Sequence, residues 1–147
     1  MRWLLLATVI PAAALAAGMD SDAELPDGDF VAARALMAEG DFAAALPPLT
    51  AASANMPTNA DVFNLLGYAY RNLGRLDESA VAYERALALD PDHLGALEYQ
   101  GELFILLDDV ESAKRNAARL VTLCPAGCAE LHDLTGDIAE WAAENLN

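Results

Sequence analysis

The chain has 147 residues, 55% of them hydrophobic and 7% aromatic, with 8 basic against 23 acidic residues and a formal charge of −15. That length allows one domain with a modest core, and alanine supplies much of the apolar content, so a thin core of closely packed helices is expected. The acidity speaks against nucleic acid or anionic lipid as a partner, because phosphate is repelled by such a surface.

In chain order, the first element reads as an export signal. Met1-Arg2 is a short positive start, Trp3 to Ala14 is apolar, and Ala14-Leu15-Ala16 is a small-x-small cleavage site. Pro11 interrupts the apolar run, which is also shorter than the roughly 20 residues a spanning helix needs. A signal peptide is therefore predicted over 1–17; an uncleaved anchor and a helix of the domain are the alternatives. It contains no cysteine, so it is not a lipoprotein signal. No second apolar segment follows, so no membrane span is expected after cleavage, and the location expected is periplasmic or secreted. Residues 18–25 are acidic and read as a disordered lead.

A 34-residue period governs what comes next. Pro57, Pro91 and Pro125 keep that spacing, as do Ala45, Ser79 and Ala113, and Phe42, Leu76 and Val110. Such self-similarity means one helical unit stacked several times, here over 26–59, 60–93 and 94–127. In the middle unit Phe63, Leu66, Gly67 and Tyr70 share one helical face. Gly74 ends that helix, Arg75-Leu76-Asp77 starts another, and Asp90-Pro91 stops it. Ser79, Tyr83 and Ala86 mark the face of this second helix. Gly67 and Ser79 are small where two helices are expected to cross, and Phe63, Tyr70 and Tyr83 are bulky around that point.

The first unit offers Asp29, Ala32-Ala33, Leu36, Gly40, Phe42, Ala45, Leu49, Ala52 and Pro57 at the matching positions. Pro47-Pro48 falls inside its second helix and is expected to shorten or kink it. The third unit offers Leu97, Gln100-Gly101, Phe104, Ala113, Ala117, Leu120 and Pro125. There Gln100 stands where a leucine is usual, and Ala117 where an aromatic is usual.

Phe63, Leu66-Gly67, Tyr70, Ser79, Tyr83, Ala86 and Pro91 together resemble a tetratricopeptide repeat. The resemblance extends in weaker form over 26–127. It implies an all-α solenoid of three helical hairpins, closed by a C-terminal capping helix over 128–147. In that helix Leu131, Leu134, Ile138 and Trp141 form the apolar face, while Glu130, Asp133, Asp137 and Glu140 are expected to face away.

The resemblance also implies a non-enzymatic scaffold that binds a protein or peptide in a concave groove of first helices. The groove positions, expected to be exposed, are Phe30, Arg34, Met37, Asn64, Tyr68, Arg71, Asn72, Glu98, Glu102 and Ile105. Family members that clamp chaperone tails carry Lys, Asn, Asn, Lys and Arg at fixed groove positions. Here those positions hold Phe30, Arg34, Leu65, Gly95 and Tyr99, so that clamp is absent.

Cys124 and Cys128, the only cysteines, read as a disulfide across the bend made by Pro125 and Gly127. A thiol or metal-handling role for Cys124, Cys128 and His132 is the alternative. His93 is expected to be solvated in the turn after Pro91. No cofactor, metal or catalytic set is expected, the function expected is an assembly factor or scaffold of the cell envelope, and oligomeric state is left open.

Overall fold

The computed structural model describes residues 27–145. The expected signal and acidic lead lie outside the described residues. Within them the chain forms seven helices and no strand, the all-α class expected from the repeat. They are α1 (Gly28–Ala38), α2 (Phe42–Asn55), α3 (Ala60–Asn72), α4 (Leu76–Leu89), α5 (Leu94–Leu106), α6 (Val110–Leu123) and α7 (Ala129–Asn145). Helices α1–α2, α3–α4 and α5–α6 pack as hairpins, each hairpin rests on the next, and α7 lies against α5 and α6.

Each hairpin turns on a left-handed residue, and these recur every 34 positions: Gly40 (φ 78°), Gly74 (φ 73°) and Asp108 (φ 61°). The next N–H then reaches back to the same kind of carbonyl, Asp41 to Leu36, Arg75 to Tyr70 and Asp109 to Phe104, at 2.8–2.9 Å. Bonds of this type satisfy carbonyls that the helix end leaves open. A short polar side chain lets Asp108 adopt the conformation that glycine adopts elsewhere. Its carboxylate also accepts a hydrogen bond from Trp141 Nε1 at 3.2 Å, which ties α7 to this turn.

Inside the hairpins, one crossing point is solved three ways. In the first repeat Ala33 and Leu49 meet the need, both fully buried. In the second, Gly67 has no side chain, and the ring of Tyr83 lies on its backbone; a Cβ at Gly67 would stand 2.6 Å from that ring. Ser79 Oγ also donates to the Gly67 carbonyl at 2.8 Å, a buried bond that fixes α4 on α3. In the third, Ala117 occupies the position of Tyr83 and leaves a slot. Leu134 of α7 fills it: a Cβ at Gly101 would stand 2.5 Å from Leu134, which packs with Leu97, Ala113, Ala117 and Leu120.

Gln100 has a partner that accounts for its departure from leucine. Asn116 Nδ2 donates to both Gln100 Oε1 and the Leu97 carbonyl, at 3.0 Å each. The buried amides therefore satisfy one another and bridge α5 to α6.

Pro47 and Pro48 do not shorten the helix. Helix α2 runs through both and has 14 residues, the same as α4 and α6. Fully buried Ala45, Leu49 and Ala52 hold it against the core, and tertiary packing outweighs the missing N–H donors. Pro47 itself is exposed.

Gly67→Ala is expected to destabilise the fold by about 1–3 kcal/mol, because the new methyl overlaps an immobile ring. Urea unfolding monitored by circular dichroism measures this. An unchanged midpoint would mean that Tyr83 does not lie on Gly67.

Candidate partner-binding groove

The first helices α1, α3 and α5 line one face of the solenoid. Of the expected groove residues, Arg34 and Asn72 are exposed, while Phe30, Met37, Tyr68, Arg71, Glu102 and Ile105 are half-buried. Asn64 and Glu98 correct the expectation, being only 6% and 8% exposed. Asn64 is closed in by the adjoining hairpin; its Nδ2 lies 3.4 Å from where a Cβ on Gly95 would stand. Glu98 is covered by α7, whose docking the repeat pattern did not specify.

At the α1 end, Phe30, Arg34, Asp61, Asn64 and Leu65 border a crevice of about 280 Å³. The Arg34 guanidinium sits 5.9 Å from the Phe30 ring centre. Phe30 and Met37 also pack on the core, so only part of each reaches the groove. His93, expected in solvent, is instead held from two sides. Its Nδ1 accepts from Ala96 N at 3.1 Å, which leaves the hydrogen on Nε2 to be donated to Asp61 Oδ1 at 2.9 Å. The ring caps α5 and bridges it to α3.

The centre of the groove is an aromatic tract. Tyr68 meets Phe42 edge-on, with ring centres 5.6 Å apart, and Tyr99 at 4.9 Å. Arg71 lies 5.3 Å from the Tyr68 ring centre and 5.5 Å from that of Tyr99. The same guanidinium forms an ion pair with Glu102, and its side chain is only 11% exposed. Arg71 therefore organises the groove from within and is no free anchor. Asn72 donates to the Tyr68 carbonyl at 2.8 Å on its own helix. Ile105 borders the far end.

Helix α7 forms a wall at that far end; Asp133 and Glu140 are exposed as expected, whereas Glu130 and Asp137 are half-buried. Glu98, Glu102, Asp133, Asp137 and Glu140 line one crevice of about 460 Å³ between α5 and α7. The cause is the Leu134 contact: with that side chain over Gly101, its neighbours Asp133 and Asp137 turn toward the first-helix face. Burial first, then the charges of Asp133, Glu130 and Asp137, push the Glu98 carboxyl up to about 7, against the opposing pull of Arg71. Burial and Glu140 also raise Asp137 above the ordinary carboxylate range. The half-buried Tyr99 and the α7 acids are site residues that sequence reasoning did not select. The usable signal was the acidic stripe of α7, which was assigned to solvent.

Cys124 and Cys128 are joined in a disulfide with Cα atoms 5.8 Å apart. It closes the bend between α6 and α7. The side chain of His132 is 88% exposed, and its Nδ1 lies 3.2 Å from Asp133 Oδ1. Among the described residues no group of three His, Cys, Asp or Glu converges to hold a metal ion.

The tetratricopeptide repeat family model matches residues 60–93. A search of the curated proteins found no match. Among solved structures, MamA from Desulfovibrio magneticus RS-1 is similar at 25% identity and a TM-score of 0.64, over 69% of this chain and 57% of that one. This chain thus spans little more than half of that relative. The second tetratricopeptide domain of human RPAP3, solved with an HSP70 peptide, is similar at 18% identity and a TM-score of 0.68, over 77% of this chain and 91% of that one. The Yersinia enterocolitica type III secretion translocator chaperone SycD is similar at 16% identity and a TM-score of 0.67, over 79% and 87%. The last two likenesses show the fold alone. The fold is a tetratricopeptide-type solenoid, and residues 60–93 carry that family's sequence pattern.

Proposed function

We propose that this chain is an exported peptide-binding scaffold of the cell envelope, holding an extended segment of a protein partner along the groove of α1, α3 and α5. The observation that carries the reading is the continuous tract of Phe42, Tyr68, Tyr99 and Arg71 between two crevices. Aromatic and arginine side chains dominate interface energy because they offer large, stiff surfaces. A preformed groove needs little ordering on binding, which lowers the entropic cost of capture. An array of the same fold is solved around a peptide, in human RPAP3. The reading requires no chemical step.

Export is supported by the residue pattern of 1–17 and by the Cys124–Cys128 disulfide, a bond that persists in oxidising compartments. The disulfide also engages both thiols, and so nothing favours the thiol or metal-handling role over the scaffold.

A random peptide library displayed against the purified protein tests the reading. Selected peptides should lose roughly thirtyfold in affinity for Tyr68→Ala, the effect of removing one strong anchor worth about 2 kcal/mol. Val81→Ala, on the exposed side of α4, should bind as the parent does. Selected peptides that bind Tyr68→Ala and the parent equally, with helicity preserved, would refute the groove as the site.

A further inference from the structure

We propose that the segment held in the groove is basic, and that one of its lysine or arginine side chains enters the crevice between α5 and α7 to pair with Glu98. This rests on the groove being a peptide site, and it adds the chemistry of the occupant.

The first argument is the state of Glu98. It is 8% exposed, yet among the described residues no donor is hydrogen-bonded to its carboxylate and no cation forms an ion pair with it. A carboxyl so largely covered by protein, with no hydrogen-bond donor and with acids around it, is unfavourable as an anion, and an ammonium or guanidinium entering from the open side of the crevice would relieve that. Arg71, the basic residue of the groove centre, is engaged by Glu102 and two tyrosine rings. Arg71 acts on Glu98 only through its charge, with no hydrogen bond or ion pair between them.

The second argument is shape. Glu98 lines the crevice with Glu102, Asp133, Asp137 and Glu140, and exposed His132 stands at its edge. The space, about 460 Å³, is a shallow crevice open to solvent along its length. The adjoining crevice exposes Ile105, Leu106 and Trp141 beside Glu102, Asp137, Glu140 and Glu144, with the Glu102-paired Arg71 on the same wall. Apolar walls leading to an acidic end suit a long side chain whose stem is aliphatic and whose head is charged. The ring of Trp141 adds a face that attracts cations. The acids are spread along the wall and do not converge on one point, as a metal site would require.

The third argument is charge complementarity at longer range. The chain carries a formal charge of −15, and α7 concentrates part of it on the groove. Such a field speeds encounter with a basic segment and repels an acidic one.

Peptides from the displayed library supply the probe. Lysine and arginine should be enriched over aspartate and glutamate among sequences that depend on Tyr68. In the tightest of them, replacing the critical lysine by norleucine should weaken binding to the parent by about tenfold or more, but binding to Glu98→Gln by only about twofold. Added salt should weaken the parent complex more than the Glu98→Gln complex.

Glu98→Gln should fold at least as well as the parent, which separates lost binding from lost structure. The folded-state pKa of Glu98 is raised to about 7 from an ordinary 4.5. Its favourable contribution is therefore complete below 4.5 and is lost as pH rises through about 7. The groups that face it are Asp133, Glu130 and Asp137 from α7 and Arg71 from α3. The glutamine removes this loss, so the variant should gain melting temperature over the parent at pH 8 relative to pH 5. Peptides that need Tyr68 but show no basic preference would overturn this inference while leaving the groove intact. Equal, Tyr68-independent binding of free spermidine would overturn it by assigning the crevice to a small polyamine.

Discussion

At Gly67 a Cβ atom would stand 2.6 Å from the ring of Tyr83, and at Gly101 one would stand 2.5 Å from Leu134. These two close approaches, of a bulky side chain onto the bare backbone of a first helix, set how near the packed helices can come. The first closes a hairpin within one repeat. The second does the same job with a residue from outside the repeats. A helix can dock there only because position 117 carries alanine and leaves the slot open. The small residue at 117 and the bulky residue at 134 are thus one packing solution divided between α6 and α7.

That division gives the groove its asymmetry. With Leu134 in the slot and Trp141 bonded to Asp108, α7 presents Asp133, Asp137 and Glu140 to Glu98 and Glu102. The opposite end is bordered by Phe30 and the exposed Arg34. Between them, Tyr68, Tyr99 and Arg71 brace one another. Packing at the end of the array therefore decides the electrostatics of the groove surface beside it. The disulfide contributes locally, since a loop this short restricts the unfolded chain little while fixing the bend into α7.

Much of the fold was legible because close crossings demand particular residue sizes. Gly67, Ser79 and Tyr83 could be placed from their spacing, and Gly74 could be read as the end of a helix, although its left-handed conformation is seen only in the structure. Partners that depend on tertiary geometry were not legible. Nothing in the spacing of Gln100 and Asn116 announces that their amides pair. Nor does the sequence show that His93 caps α5 and meets Asp61. Pro47-Pro48 signals a break, but the buried face of Ala45, Leu49 and Ala52 overrides it. At the site, the family resemblance supplied the groove-facing positions of the first helices. It could not give the depth of Glu98 or the direction of the α7 acids, because both follow from the angle at which α7 docks.

Hydrogen exchange on an Ala117→Phe variant tests most directly whether that docking depends on the open slot. An aromatic at 117 would claim the space over Gly101 in the manner of Tyr83, and Leu134 would be expelled. Amides from Leu134 to Trp141 should then exchange far faster than in the parent, while those of α3 and α4 keep their protection. Undiminished protection of α7 in a folded Ala117→Phe protein would contradict the shared-slot mechanism, and with it the origin of the acidic wall.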